Sequence, residues 1–227
     1  MKNTLRLALL FGVASLLFNT KTAAQFSVGF STGLNVATQS YHYPEEPQLS
    51  FGADYLPAWR AHAHFDWRVS KRLSAGAEAG MSFKGFRTTD ITDENGNSIP
   101  NASFSKVFNY FEGGLLLKYR LSSRSFRPYL LGGGHFSYLF DGSQNYRNIS
   151  FNGSPLGSYG QPLDEENFHN TDFSVSGGAG LEFDILPVAT LFAESRYQHG
   201  LRDISAVSTA EVRNRAFSLT VGCFYNW

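Results

Sequence analysis

The sequence predicts an all-β chain, an antiparallel up-and-down transmembrane β-barrel of about eight strands. Three observations predict it. Apolar and polar residues alternate at period two through most of the chain. The connections between these stretches switch strictly between short and long. Aromatic residues, 15% of the 227, gather near the ends of the alternating stretches, where a membrane girdle would sit.

The first element is not part of the fold. Lys2 and Arg6 precede an apolar run from Leu7 to Phe18, and Thr22-Ala23-Ala24 supplies small residues for cleavage. This is the pattern of a Sec signal peptide, expected over residues 1–24, with the barrel over 25–227. The run is shorter than the ~20 residues a spanning helix needs. Cleavage takes three of the 19 basic residues and none of the 19 acids, leaving a net charge of −3. Nucleic-acid binding, which needs a basic excess, is not expected. The lone cysteine, Cys223, rules out an intrachain disulfide.

In a strand, residues i and i+2 share a face. Phe26, Val28, Phe30, Leu34 and Val36 oppose Ser27, Gly29, Ser31, Gly33 and Asn35. Trp59, Ala61, Ala63, Phe65, Trp67 and Val69 oppose Arg60, His62, His64, Asp66 and Arg68. Leu73 to Phe83 put alanines and Met81 against Ser74, Gly76, Glu78, Gly80, Ser82 and Lys84. Read as helices, these segments would scatter charge all round, so they are strands. Further strands are expected at 104–121, 126–140, 171–184, 189–201 and 214–227. The fifth is blurred by Pro128 and by Gly132 to Gly134. Glycine there permits a bend or a close approach; no helix follows to make it a phosphate loop.

The links near 70–72, 122–125 and 184–188 are tight. Those at 37–56, 88–103, 141–170 and 202–213 are long and polar. Outer-membrane barrels carry short periplasmic turns and longer outer loops. A soluble lipid-binding barrel in the periplasm alternates too, with its apolar face inward. The lopsided links, the aromatic girdle positions Trp59, Trp67, Tyr119 and Tyr225, and the aromatic last residue Trp227 favour the membrane version. A lipid-facing Arg or Lys costs about 2–4 kcal/mol near the midplane, so the charged faces belong inside. Asp66, Glu78, Glu112, Glu182 and Glu194 are then expected to meet Arg60, Arg68, Lys84, Lys118, Arg120, Arg127 and Arg196 in the lumen. Buried charges must pair, and about eight strands leave room only for side chains. No open pore is expected.

The stretches YFEGGLLLKYRL (110–121), RPYLLGGGHFSYLF (127–140), DFSVSGGAGLEF (172–183) and LFAESRYQHGLRDI (191–204) follow in order and precede an aromatic C-terminal strand. Together they resemble the PorT-like outer-membrane β-barrel family of Bacteroidetes-type bacteria, often labelled porin family. Gly113-Gly114 depart from its usual form, where an aliphatic residue and a proline are more common. The resemblance implies an integral outer-membrane location in a Gram-negative envelope. The implied partners are outer-membrane lipids, the barrel-assembly machinery during insertion, and a secretion-complex or envelope protein met through the outer loops.

The expected role is therefore non-enzymatic, structural or accessory to a secretion or transport complex. The alternative is a lipid-modifying enzyme or protease at the outer rim. His42, His169 and His199, with Asp54, Asp164, Glu165, Glu166 and Ser208, are its candidate residues, but no spacing singles out a triad. His62, His64 and Asp66 share a strand face, and two histidines at i and i+2 can ligate one metal, but no third ligand is identifiable from the sequence, and no metal or cofactor is expected. Tyr146, Phe151, Tyr159 and Phe168 in the loop 141–170 suit contact with a partner or surface glycan, or a plain exposed loop.

Overall fold

The computed structural model describes residues 26–43, 53–89, 91, 99–123, 125–149, 157–163, 165–207 and 210–227. The expected signal segment, Phe151, Asp164 and Ser208 lie outside them, as does the side chain of Glu165. The strands are β1 (Phe26–His42), β2 (Leu56–Arg68), β3 (Leu73–Thr88), β4 (Ser103–Arg120), β5 (Phe126–Ile149), β6 (Gly157–Pro162), β7 (Thr171–Leu186), β8 (Ala189–Gly200) and β9 (Glu211–Asn226), with a 3₁₀ turn at Glu165–Asn167.

All pairings are antiparallel, in the order β4-β3-β2-β1-β9-β8-β7-β5. β5 also pairs with β4 from Arg120↔Tyr129 to Ser103↔Arg147, so these eight strands form a ring. The described strands number nine rather than about eight. The extra one, β6, pairs with the far half of β5 alone and takes no place between two neighbours. This corrects the expectation of a structureless loop over 141–170. β5 runs for 24 residues, whereas a tilted membrane strand needs about 9–11. Beyond Tyr138, where β7 leaves it, its outer half keeps β4 on one side and takes β6 on the other as a hairpin.

A bulge explains why that extension was hard to read. Asn109 pairs with Asp141 and Tyr110 with Leu139, so Phe140 is skipped. Skipping one residue inverts the inside–outside phase. Leu131, His135, Ser137 and Leu139 face inward before the skip, Gly142 and Gln144 after it. Asn148 ends the regular pairing with a φ of 52°, and Asn101 has 58° before β4. Asparagine tolerates this left-handed backbone better than most residues. Asn101 and Asn148 thus each have a local backbone role.

The apolar face points outward all round. Leu34, Leu115, Leu117 and Val221 are each more than 60% exposed, while Ser31, Asn35, Arg60, Glu112 and Ser218 are buried. This is the inverse of a soluble lipid-binding barrel. Trp59, Tyr119, Tyr225 and Trp227 are exposed near strand ends. Two glycines have a visible steric reason. Gly133 lies so near β4 that a Cβ would fall 2.1 Å from the Leu115 carbonyl oxygen. Gly114 faces His135 directly across the β4–β5 pair, and a Cβ there would meet its Nδ1 at 2.5 Å. The Gly113-Gly114 step therefore makes room for an inward histidine.

Candidate functional site

The polar interior is the chemically loaded part of the molecule. At the short-turn end, Glu182 on β7 is the hub. Its carboxylate accepts from Lys118 Nζ at 2.9 Å, from Arg120 Nε at 2.6 Å and from Arg127 Nε at 3.2 Å. Arg120 also donates to Asp66 Oδ2 at 2.9 Å and to Ser74 Oγ. Arg127 forks onto Asp184 with two 2.5 Å contacts, the bidentate geometry that suits guanidinium to carboxylate.

An aromatic layer lies above. Phe192 and Phe224 stack at 4.8 Å, His64 sets its edge against both, and Lys118 lies 4.7 Å from the Phe224 ring centre. Phe192 occupies the polar phase of its strand, so the interior is not purely ionic. Beside this layer, Tyr129 donates to Glu194 at 3.0 Å, and Arg196 contacts Glu194 at 2.5 Å.

The middle is built on Glu78 and Glu112. Arg196 Nη1 meets Glu78 at 2.6 Å, and Lys84 Nζ meets Glu112 at 2.6 Å. Arg60 Nη2 bridges the two carboxylates at 3.2 and 3.4 Å. Ser137 and Gln198 complete the shell of Glu112. Toward the long-loop end, Asn214 donates to Tyr110 and to Asp172, and Gln39 donates to Asn214. Above them Phe108, Tyr110, Leu139 and Leu163 form an apolar cluster with Phe168 against it. Leu163 and Phe168 lie between β6 and β7 and pack into that cluster.

All twelve charged residues expected inside line the interior. Six of the seven cations have a carboxylate within 4.0 Å; among the described residues Arg68 has none. Two acids, Asp172 and Asp184, were missed. Asp172 shares the inward phase with Ser174, which was the available signal. Asp184 lies where β7 was expected to turn.

The proposed metal trio is divided. His64 Nε2 lies 2.8 Å from Ser31 Oγ, and Asp66 serves Arg120. Instead His62, Glu78 and Glu112 converge, with ligand atoms within 4.8 Å of one another. These residues do not fit a cation. Arg60 Nε donates to His62 Nδ1 at 3.3 Å, so the proton of a neutral His62 ring is on Nε2, facing Glu112 Oε1 at 3.6 Å. That nitrogen then has no lone pair for a metal. Arg60, Lys84 and Arg196 already balance the two carboxylates.

The rim residues do not assemble either. His42 ends β1, His169 precedes β7 and His199 lies on β8. No hydrogen bond or ion pair joins these side chains to a carboxylate or hydroxyl among the described residues. In the outer hairpin, Tyr146 and Tyr159 face each other across β5 and β6. They line a cleft with Arg87, Asn145, Arg147 and Ser158.

Comparison with known proteins gives a consistent fold. A family model described as outer membrane protein beta-barrel domain matches residues 14–206. No curated protein matches the chain. The outer membrane protease OmpT of Escherichia coli is similar in structure over 92% of this chain and 99% of its own, with a TM-score of 0.50 at 14% identity. Neisserial surface protein A covers 91% of this chain and 100% of its own at 14% identity, with a TM-score of 0.46. Outer membrane protein OprG of Pseudomonas aeruginosa covers 92% and 99% at 11%, with 0.46. At 14% identity the likeness to OmpT concerns the fold alone.

Proposed function

The chain belongs to the outer membrane protein beta-barrel family, and from that premise we propose that it is a non-enzymatic, non-conducting barrel of PorT-like type that serves the envelope as a structural or accessory component. One observation carries the reading. Charged and aromatic side chains cross the interior from wall to wall, from Arg127–Glu182–Lys118 at one end to the cluster of Phe108, Tyr110, Leu139 and Leu163 at the other. A channel would need that space. An enzyme would need its acid, base and nucleophile gathered at one place, and the rim histidines stand on separate elements. Function then falls to the outer surface: lipids along the apolar wall, the assembly machinery during insertion, and an envelope or secretion partner at the long-loop end. Export would use a cleaved signal over residues 1–24.

Two measurements test this. Purified protein in planar bilayers is expected to give no stable conductance steps; regular open steps would overturn the non-conducting reading. Crosslinking of intact outer membranes followed by capture is expected to recover a defined envelope partner. That partner should be lost when the hairpin cleft carries R87Q and R147Q, and its retention would move the contact elsewhere.

A further inference from the structure

We propose that the short-turn mouth of the barrel is a binding site for a single oxyanion, a carboxylate or phosphate group, centred on Arg68. The charge balance at this end points to it. Among the described residues that face the interior there, three carboxylates, Asp66, Glu182 and Asp184, meet four cations, Arg68, Lys118, Arg120 and Arg127. Every carboxylate is already engaged. Asp66 takes Arg120, Glu182 takes Lys118, Arg120 and Arg127, and Asp184 takes Arg127 and the Thr190 hydroxyl. Arg68 is left over. Its Nε is buried and has no hydrogen-bond partner, and its electrostatic neighbours include two further guanidiniums, Arg120 and Arg127.

Arg68 also opens onto space. It lines a cavity of about 430 Å³ with Ser125, Arg127, Asp184, Leu186 and Asn226. That volume lies in the range of small-ligand sites. At ~30 Å³ per water it holds a phosphate group together with hydrating waters. Asp184 does not repel such a guest strongly, because Arg127 grips it with both nitrogens. A guanidinium offers paired donors that match carboxylate and phosphate. Ser125 on the wall adds a neutral donor, and Asn226, whose amide donates to Thr190 at 3.0 Å and accepts from Ser27, has one amide hydrogen left. The packed layer of Phe192 and Phe224 closes the way inward, so the site is a blind vestibule on the face that the short turns assign to the periplasm.

The test uses the full mature chain refolded in detergent micelles. The Arg68 Nε–H and Asn226 side-chain amide signals are followed by ¹H–¹⁵N NMR during separate titrations with sodium acetate and sodium phosphate. Sodium chloride holds ionic strength constant. The expected result is a saturable one-site shift of both signals. Stronger binding of phosphate identifies a phosphate-bearing ligand, and stronger binding of acetate a carboxylate. R68Q should weaken the Asn226 response at least tenfold, and R213Q, at the exposed far end of β9, should leave it unchanged. R68K keeps the charge but not the fork, so it should bind more weakly than the native chain and serves if R68Q fails to fold. Shifts that never saturate, that chloride reproduces, or that survive in R68Q or R68K at native affinity would overturn the site. None of these readouts depends on conductance or on an envelope partner.

Discussion

Glu112 is where a single atom pair matters most. Its side chain is fully buried and receives Lys84, Arg60, Ser137 and Gln198. Removing its charge would leave Lys84 buried without its counter-ion. Breaking one side of a buried pair costs about 3–5 kcal/mol, so E112Q should lower unfolding stability by roughly that amount. Denaturant unfolding from lipid vesicles measures it. The double variant K84M/E112Q should regain part of the loss, since the stranded cation is gone. A double-variant loss equal to the sum of the K84M and E112Q losses would show that the two side chains are not coupled. That Glu112 faces inward was legible from alternation with Phe111. That Lys84 is its partner was not. The two lie 28 residues apart, and their meeting depends on register and side-chain reach that no local pattern encodes. His62 is a mixed case: Arg60, two residues before it on the same strand, donates to its Nδ1, while Glu112 meets its Nε2 from another strand.

At the scale of elements, the strands that cross the apolar band were readable because one face there must be oily. The outer half of β5 was not, because both of its faces carry polar residues and the skip at Phe140 inverts the phase. The run Gly132 to Gly134 in β5 offers a direct test of how closely neighbouring strands approach. A methyl group on Gly133 would collide with the Leu115 carbonyl, whereas one on Gly134 would meet nothing within 4 Å. G133A should therefore destabilise the fold or slow its insertion, and G134A should be neutral or slightly stabilising, since glycine weakens a strand interior. Heat-modifiable gel mobility and unfolding midpoints in micelles distinguish them. If both variants behaved alike, the β4–β5 approach at Leu115 would be wrong.

For the whole molecule, the decisive property is which face meets which solvent. Leu115 is 73% exposed and Ser82 is fully buried, although both lie in the alternating part of their strands. A water-soluble protein showing so many leucines, valines and phenylalanines would aggregate; in a bilayer the same surface is satisfied by acyl chains. The exposed Cys223 must first be replaced by serine so that single cysteines can report. A nitroxide at Leu115→Cys should then collide readily with dissolved oxygen and poorly with a water-soluble nickel reagent. One at Asn145→Cys, on the β5–β6 hairpin, should show the opposite preference. Ser82→Cys, walled in by the polar network, should resist a water-soluble thiol reagent until the chain is unfolded. Rapid labelling at Ser82 in the folded state would mean that water threads the interior, and the ion-pair network could not then be the closed plug on which the non-conducting reading rests.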